Sequence, residues 1–402
     1  MKIAAKIRLH PTPEQEELFR KSAGTARFCY NFYLGQNELL YAEHIANGNT
    51  GPKSIGENAF RKILTQMKHT THPWLGEVGS NVAKQAVKDA ATARERFFKG
   101  LAEAPNYKAK HYCTPSFYVN YESLKAVDGG FCGERLGFVK TAEPLPTLMP
   151  GKHYSNPRIT YDKKYWYLSV TYDVPDVQWE LTGERIGIDV GVKELAVVSD
   201  GTVYANINKT KEVKRLEKKL RREQRQLSRM LESNTAYYVP KGKGRAPVYK
   251  RPLDECKNII KQRQVIAMLY RRLTNIRENY LHQVTSEIVK TKPSCIVLED
   301  LNVRGMMKSH HLAKALQDQK LGEFGRMITY KAQLHGIEVI KVPRFYPSSK
   351  TCSCCGHVKK DLKLRDRTYR CQECGFVMDR DLNAAISLKN YPATHEVITS
   401  AA

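Results

Sequence analysis

The chain has 402 residues, with 66 lysines and arginines against 41 aspartates and glutamates, a formal charge of +25. That length allows two or three domains with real cores, and the cationic excess points to a polyanionic partner, nucleic acid before a membrane surface. No apolar run reaches the length of a membrane span, and M-K-I-A-A-K-I-R-L alternates where a signal peptide would be continuously apolar. Of ten cysteines, four stand in two C-x-x-C pairs, while Cys29, Cys113, Cys132, Cys256, Cys295 and Cys354 are scattered, a pattern that fits a reducing, cytoplasmic setting.

Ile3, Ala5, Ile7 and Leu9 alternate with Lys6 and Arg8, which predicts a half-buried first strand. Thr12-Pro13-Glu14-Gln15 then supplies an N-cap, a proline at the first helical position and a capping-box glutamine, so a helix runs from there towards Tyr41. After a Gly/Asn-rich break at 48–56, a second helical region ends in Ala83 to Phe98. Between 113 and 176, S-F-Y-V-N-Y, R-L-G-F-V-K, R-I-T-Y and Y-W-Y-L-S-V-T-Y read as short strands. This half is therefore a β-barrel or sheet with a helical insert. Its aromatics interleave with Lys and Arg in a way that suits base stacking beside phosphates, although the plainer reading of each one is strand core.

R-I-G-I-D-V-G opens the second half at Arg185, with Ile186, Ile188 and Val190 on one face and Asp189 on the other. Gly187 and Gly191 leave that carboxylate an open approach, and Asp200-Gly201 supplies a hairpin turn into the next strand. Residues 209–232 and 255–291 predict two long helices with matching seams (Val213, Leu216, Leu220, Leu227 and Met230 against Ile266, Leu269, Leu273, Ile276 and Tyr280), hence an antiparallel hairpin. The stretch Thr235 to Leu253 between them reads as a mobile loop. The outer face of the first helix carries Lys211, Lys214, Arg215, Lys218, Arg221, Arg222 and Arg225. A charge run is often only a solvated face, but this one-sided excess points to phosphate contact.

C-I-V-L-E-D-L-N then delivers Glu299 and Asp300 at the carboxyl end of an apolar strand, where α/β folds place their sites. A helix at about 322–335 and the strand I-E-V-I-K-V follow. Cys352 and Cys355 form one knuckle and Cys371 and Cys374 a second, fifteen residues apart. Four thiolates converging in this way suit one tetrahedral, structural Zn²⁺. Cys354 competes with Cys355 for a place in the set. Asp379 and Asp381 then open a helical A-A-I-S-L. Asp189, Glu299 and Asp381 make a set of hard oxygen donors such as phosphodiester hydrolysis with two Mg²⁺ ions needs. Asp381 at a helix start could equally be a cap.

G-I-D-V-G, V-L-E-D-L-N, the two knuckles and D-R-D-L-N-A-A, in that order, resemble the RuvC-like nuclease domain of the TnpB family of transposon-encoded, RNA-guided DNA endonucleases. The likeness covers most of 185–392, including R-F-Y-P-S-S-K-T-C-S-C-C-G, and extends more faintly to H-P-T-P-E-Q and A-G-T-A-R-F-C-Y-N-F-Y-L. The resemblance implies a mixed α/β and β fold: an RNase H-like (RuvC) nuclease domain at 183–344 and 379–392, containing the helical hairpin 209–291. A zinc module at 345–378 interrupts it, and a flexible tail (393–402) ends the chain. A wedge-like β-barrel (1–10 and 105–182) with a helical recognition insert (11–104) precedes it. The catalytic acids carried over by motif are Asp189, Glu299 and Asp381, with Asp379 the rival for the third place and Asp300 the weaker neighbour of Glu299.

By the same resemblance the cofactors are two Mg²⁺ ions and one Zn²⁺. The partners are a guide RNA made from the transposon end and double-stranded target DNA, in a monomeric ribonucleoprotein of the prokaryotic cytoplasm that joins the nucleoid when bound to DNA. Three alternatives stand beside this reading: a non-catalytic nucleic-acid-binding regulator, a strand-transferring transposase, and a compact type V CRISPR effector.

Overall fold

The structure, a computed structural model, describes residues 1–392 apart from 111, 176, 243 and 364. The expected tail at 393–402 lies outside the described residues. The chain divides into two compact units, residues 1–175 and 176–402. Among the described residues no helix is long and apolar enough to cross a membrane.

In the first unit β1 (Lys2–His10) leads into three helices, α1 (Pro13–Ala46), α2 (Glu57–His69) and α3 (Ser80–Phe98). The chain then returns as β2 (Ser116–Tyr118), β3 (Lys125–Val127), β4 (Gly130–Gly133), β5 (Gly137–Thr141), β6 (Ser155–Asp162) and β7 (Tyr165–Asp173). These strands form one antiparallel sheet in the order β2-β6-β7-β1-β5-β4-β3, with β2 and β3 at its edges. The first strand of the chain thus sits centrally, paired with β7 from Lys2 to Arg8 and with β5 at Leu9 and His10.

The capping box forms as expected: the Thr12 hydroxyl accepts from the Gln15 N–H, and the Gln15 side chain accepts from the Thr12 N–H. The helix it starts continues past Tyr41 to Ala46, because Cys29, Tyr30, Tyr33 and Leu34 pack on Phe60 and Leu64 of α2 and on Val87 and Ala90 of α3. The strand aromatics Phe117, Phe131 and Trp166, and Tyr154 just before β6, are buried in the sheet's own core, which makes these four packing residues. Arg158 of β6 holds Asp89 of α3 through two bonds of 2.8 Å, fastening the helices to the sheet.

The second unit begins with β8 (Arg185–Val190), β9 (Glu194–Val198) and β10 (Val203–Ala205). It continues through α4 (Lys211–Ser233), β11 (Thr235–Lys241), β12 (Gly244–Tyr249) and α5 (Lys257–Lys290). Next come β13 (Cys295–Glu299), α6 (Val303–Met306), α7 (His310–Gln319), α8 (Leu321–Leu334) and β14 (Glu338–Val342), then β15 (Thr368–Arg370), β16 (Val377–Asp379) and α9 (Arg380–Lys389). The sheet order is β10-β9-β8-β13-β14, with β8, β13 and β14 parallel and β9 and β10 antiparallel.

The two faces of this sheet divide the work. Ile186, Ile188, Ile296 and Leu298 pack against Leu281, Val284 and Ile288 of α5 and Phe324, Met327 and Ile328 of α8. On the opposite face Cys295, Val297, Ile340 and Val342 pack with Leu388 and Tyr391, at the end of α9 and just beyond it. The α4–α5 seam forms from Val213, Leu216, Leu220, Ile266, Leu269 and Leu273, with Leu227 and Ile276 alongside, while Met230, also expected there, is half-buried outside this cluster. Tyr280 packs instead in the sheet's core cluster.

The stretch after α4 is not a loose loop but an antiparallel ribbon, β11 paired with β12 from Thr235↔Tyr249 to Lys241↔Gly244. Its tyrosines and valines favour extended backbone, and Gly242 takes the positive φ (57°) that the turn requires. Pro240 and Pro247 are tolerated because a two-stranded ribbon is all edge. The helix at 322–335 is also preceded by α6 and α7, which lack a long enough apolar repeat to stand out in sequence.

Candidate active site and four-cysteine cluster

Along β8 the side chains alternate, so Asp189 and Gly187 share the face on which α9 lies. The parallel register pairs Val297 with Gly187 and Leu298 with Ile188, and one further step sets Glu299 beside Asp189. Gly187 has a role other than leaving the carboxylate open. A Cβ built there would lie 2.1 Å from the Ala385 carbonyl oxygen and 2.4 Å from the Lys389 nitrogen, so the glycine lets the backbone of α9 approach the strand. Ala384 and Ala385 are fully buried at the same contact. This close approach carries the first turn of α9, and Asp381 with it, to the carboxyl ends of β8 and β13. Gly187→Ala is expected to destabilise the fold by on the order of 1–3 kcal/mol, read as a lower Tm, with a parallel loss of whatever activity depends on Asp381.

Asp189, Glu299 and Asp381 are each half-buried. The Asp189 carboxyl is held well above its ordinary range, first by burial and then by the negative charges of Glu299 and Asp381, with Arg380 opposing them. Burial also raises Glu299, against a buried Ser348 hydroxyl that donates to its Oε1. Carboxylates gathered like this repel one another unless a cation lies between them, so the donor set fits a hard divalent ion. It is a looser group than the cysteines described below, whose ligand atoms alone, among the described residues, all lie within 4.8 Å of one another.

The two rival acids are engaged elsewhere. Asp379 is the N-cap of α9: its Oδ1 accepts from the N–H of Asp381 at 2.9 Å and of Leu382 at 3.2 Å. The cap role that Asp381 could have filled therefore falls to Asp379. Asp300 forms an ion pair with Arg344, whose Nε donates to Oδ2 at 2.6 Å.

The Sγ atoms of Cys352, Cys355, Cys371 and Cys374 converge, with Cys352 to Cys374 at 3.7 Å and Cys355 to Cys371 at 3.6 Å. Four Zn–S bonds of about 2.3 Å in a tetrahedron set sulfurs about 3.8 Å apart, so the cluster matches zinc. Each knuckle closes on a tight turn, Cys352 N–H to the His357 carbonyl and Cys371 N–H to the Phe376 carbonyl, both at 2.8 Å. Gly356 and Gly375 take positive φ there. Cys354 is exposed and outside the group. Beneath the sulfurs Tyr369 is fully buried.

Sequence reasoning missed the tethers between this module and α9. Asn383, fully buried, accepts from the Ser353 N–H at 3.0 Å and donates to the Thr351 carbonyl at 2.8 Å. Arg380 donates to the Lys363 carbonyl at 3.0 Å. The available signal was the asparagine in D-L-N-A-A, since asparagine is a poor residue for a helix interior unless its amide is used. Ser348 gave a weaker one, a small hydroxyl in Y-P-S-S-K-T.

On α4 the expected cations Lys211, Lys214, Arg215, Lys218, Arg221, Arg222 and Arg225 are all exposed and, with Lys219 and Arg272, line one broad concavity. Arg221 and Arg222 are in part neutralised, by Glu217 at 3.7 Å and Glu223 at 3.0 Å. The other five make no ion pair among the described residues.

Three family profiles match in chain order: "Helix-turn-helix domain" over residues 1–46, "Probable transposase" over 169–310, and "Cas12f1-like, TNB domain" over 322–388. The first of these stretches is one strand and one continuous helix here. A relative from Streptomyces pristinaespiralis, named "Putative RNA-guided DNA endonuclease", is 30% identical over 393 residues, which cover 96% of this chain and 88% of its own. A second from Escherichia coli K12, with the same name and the designation InsQ, is 29% identical over 95% of this chain and 90% of its own. The chain belongs to the TnpB family. A "TnpB-like protein" of Acanthamoeba polyphaga mimivirus is also similar, 26% identical over 94% of this chain. Among solved structures, the Cas12f1–sgRNA–target DNA complex holds a chain of the same fold, with a TM-score of 0.54, 14% identity and coverage of 97% of this chain and 99% of that one. The last family profile begins in α8 and ends in α9, so the matched stretch spans the cysteine module together with Asp379 and Asp381.

Proposed function

We propose that this TnpB protein is an RNA-guided DNA endonuclease that hydrolyses phosphodiester bonds at Asp189, Glu299 and Asp381. The observation that carries the reading is that three acids from β8, β13 and α9 share one end of one sheet, where burial and mutual repulsion leave Asp189 under strong pressure to protonate. Relatives over nearly the whole length carry that activity in their names. The nuclease domain is RNase H-like, of the RuvC kind, and spans 183–344 and 379–392. Residues 345–378 form a module organised by one structural Zn²⁺. Residues 1–10 and 105–182 make a wedge-like barrel and 11–104 a recognition insert, which together read a short motif beside the target.

Two Mg²⁺ ions bound by the three carboxylates would activate the attacking water and steady the leaving 3′ oxygen. The chain's own residues prepare that site. Ser348 fixes one Glu299 oxygen by donating to it, which leaves the other for a ligand. Asp379 caps α9, which spares the Asp381 carboxylate and fixes the turn that carries it. Arg380 tempers the accumulated negative charge. Cleavage leaves a 5′ phosphate and a 3′ hydroxyl.

The exposed cations of α4 grip the phosphates of the guide RNA in a monomeric ribonucleoprotein acting at the nucleoid. Replacing Lys214, Lys218 and Arg225 by Glu is expected to weaken RNA binding and to reduce the slope of log affinity against log salt by about two. An unchanged slope would make this helix a solvated face.

The reading is tested by purifying the protein expressed with its native flanking DNA. A discrete co-purifying RNA is expected, together with Mg²⁺-dependent cutting of plasmid only where the target matches that RNA. Strand joining without RNA would turn the assignment to a transposase, and absence of cutting under any guide to a binding regulator.

A further inference from the structure

The loop that joins β14 to the first knuckle reads Arg344-Phe345-Tyr346-Pro347-Ser348, and Phe345 is 96% exposed. Single apolar side chains on a surface are ordinary. This one is set apart by how firmly its neighbours are held and by what they hold.

On one side Arg344 is paired with Asp300 at 2.6 Å. On the other, the Tyr346 ring meets Tyr391 edge-on at 4.9 Å between centroids, and its hydroxyl lies 3.2 Å from the Ser387 Oγ. Two residues further, the buried Ser348 hydroxyl donates to Glu299. The backbone is therefore pinned before and after Phe345, and the pins are Asp300 and Glu299 at the end of β13 and the residues of α9. An aromatic ring is thereby kept in water three residues from Ser348, whose side chain touches Glu299 of the carboxylate cluster.

We infer that Phe345 is a stacking platform for an unpaired nucleobase next to the scissile phosphate. The inference rests on reading the carboxylate cluster as the nuclease site. A phosphodiester seated against Glu299 carries a base on each side of it. An exposed ring anchored on the same loop as Ser348 offers one of those bases a flat partner. Stacking of this kind accepts any base, because every base presents a π face. That suits an enzyme whose sequence choice is made by a guide and not by its cutting site. It also requires the base to be unpaired, so the strand enters the site single-stranded.

The test compares Phe345→Ala and Phe345→Trp in the full-length protein loaded with its RNA. The alanine variant is expected to cut guide-matched DNA roughly five- to a hundredfold more slowly, and the tryptophan variant to stay within a few-fold of wild type. Tm and RNA affinity should not change, because the ring packs on almost nothing. A direct readout is 2-aminopurine placed on either side of the cleavage position, with Ca²⁺ replacing Mg²⁺. Its fluorescence should be quenched by wild type and by the tryptophan variant, and less by alanine. Equal cutting and equal quenching by the alanine variant would overturn the inference, as would a fall in its Tm or RNA affinity. A wild type that cuts no guide-matched DNA removes the nuclease reading and this one with it. A cutting wild type beside an equally active Phe345→Ala removes this one alone.

Discussion

Asp189→Ala, Glu299→Ala and Asp381→Ala are each expected to abolish cleavage of guide-matched duplex while RNA binding persists. Each change removes a charge that would position a divalent ion at the scissile phosphate, an effect worth several kcal/mol of barrier and a rate loss of about a thousandfold or more. The losses should not add, because the acids act as one unit. Asp189→Ala should also leave the fold intact or slightly firmer, since it deletes a half-buried carboxyl whose ionised form is disfavoured by its surroundings. The neighbouring acids make the informative controls. Asp379→Ala loses the cap of α9, a cost of about 0.5–2 kcal/mol, and should lower Tm while keeping substantial activity. Asp379→Asn retains a capping oxygen without the charge and should behave almost as wild type. Asp300→Ala releases Arg344 and should still cut. The assay is plasmid cleavage with Mg²⁺ and the co-purified RNA, with binding measured in parallel. An inactive Asp379→Asn beside an active Asp381→Ala would exchange the two aspartates' roles and leave the nuclease standing.

Cys371→Ser should have the second largest effect, on structure first and on cleavage through it. Four thiolates would close the tetrahedron and leave no position for water, so a metal held there would be structural. In small zinc domains such binding contributes about 10–16 kcal/mol of apparent folding energy. Losing it would release the two knuckles, whose buried core is little more than Tyr369 and the sulfurs themselves. The damage should reach the acids, because Asn383 and Arg380 tie the start of α9 to Thr351, Ser353 and Lys363 of the module. Zinc content is expected to fall below one equivalent, protease sites to open around 379–383, and cutting to drop with them. Cys354→Ser should change none of these, as Cys354 stands outside the sulfur group. One full zinc equivalent and unchanged protease resistance in Cys371→Ser would refute the assignment.

Several features were legible in the amino-acid sequence because their causes lie within a few residues of chain. The capping box at Thr12, the apolar seam of α4 and α5 and the paired C-x-x-C knuckles depend on helical period, N–H satisfaction and thiolate spacing, each of which is a local property. The one-sided charge of α4 is local too, and its cations are exposed as expected. The ribbon β11–β12 marks the limit of such rules, since its prolines argued for a loop and only pairing with a partner strand made an extended structure the better one.

Tertiary structure decided the matters that depend on which atoms meet across long stretches of chain. Gly187 looked like an opening beside Asp189, yet it is the point where the backbone of α9, some 200 residues later, comes too close for any Cβ. Asp379 and Asp381 are chemically alike and two residues apart. Helix geometry alone separates them, since the first faces the free N–H groups of α9 and the second, already inside its first turn, does not. Ser348 and Asn383 are unremarkable as letters, and acquire roles because folding buries them where a carboxylate and two backbone groups need partners. Burying a polar group without a partner is costly, so the residues that supply such partners are chosen by three-dimensional neighbours, which a local pattern in sequence does not contain.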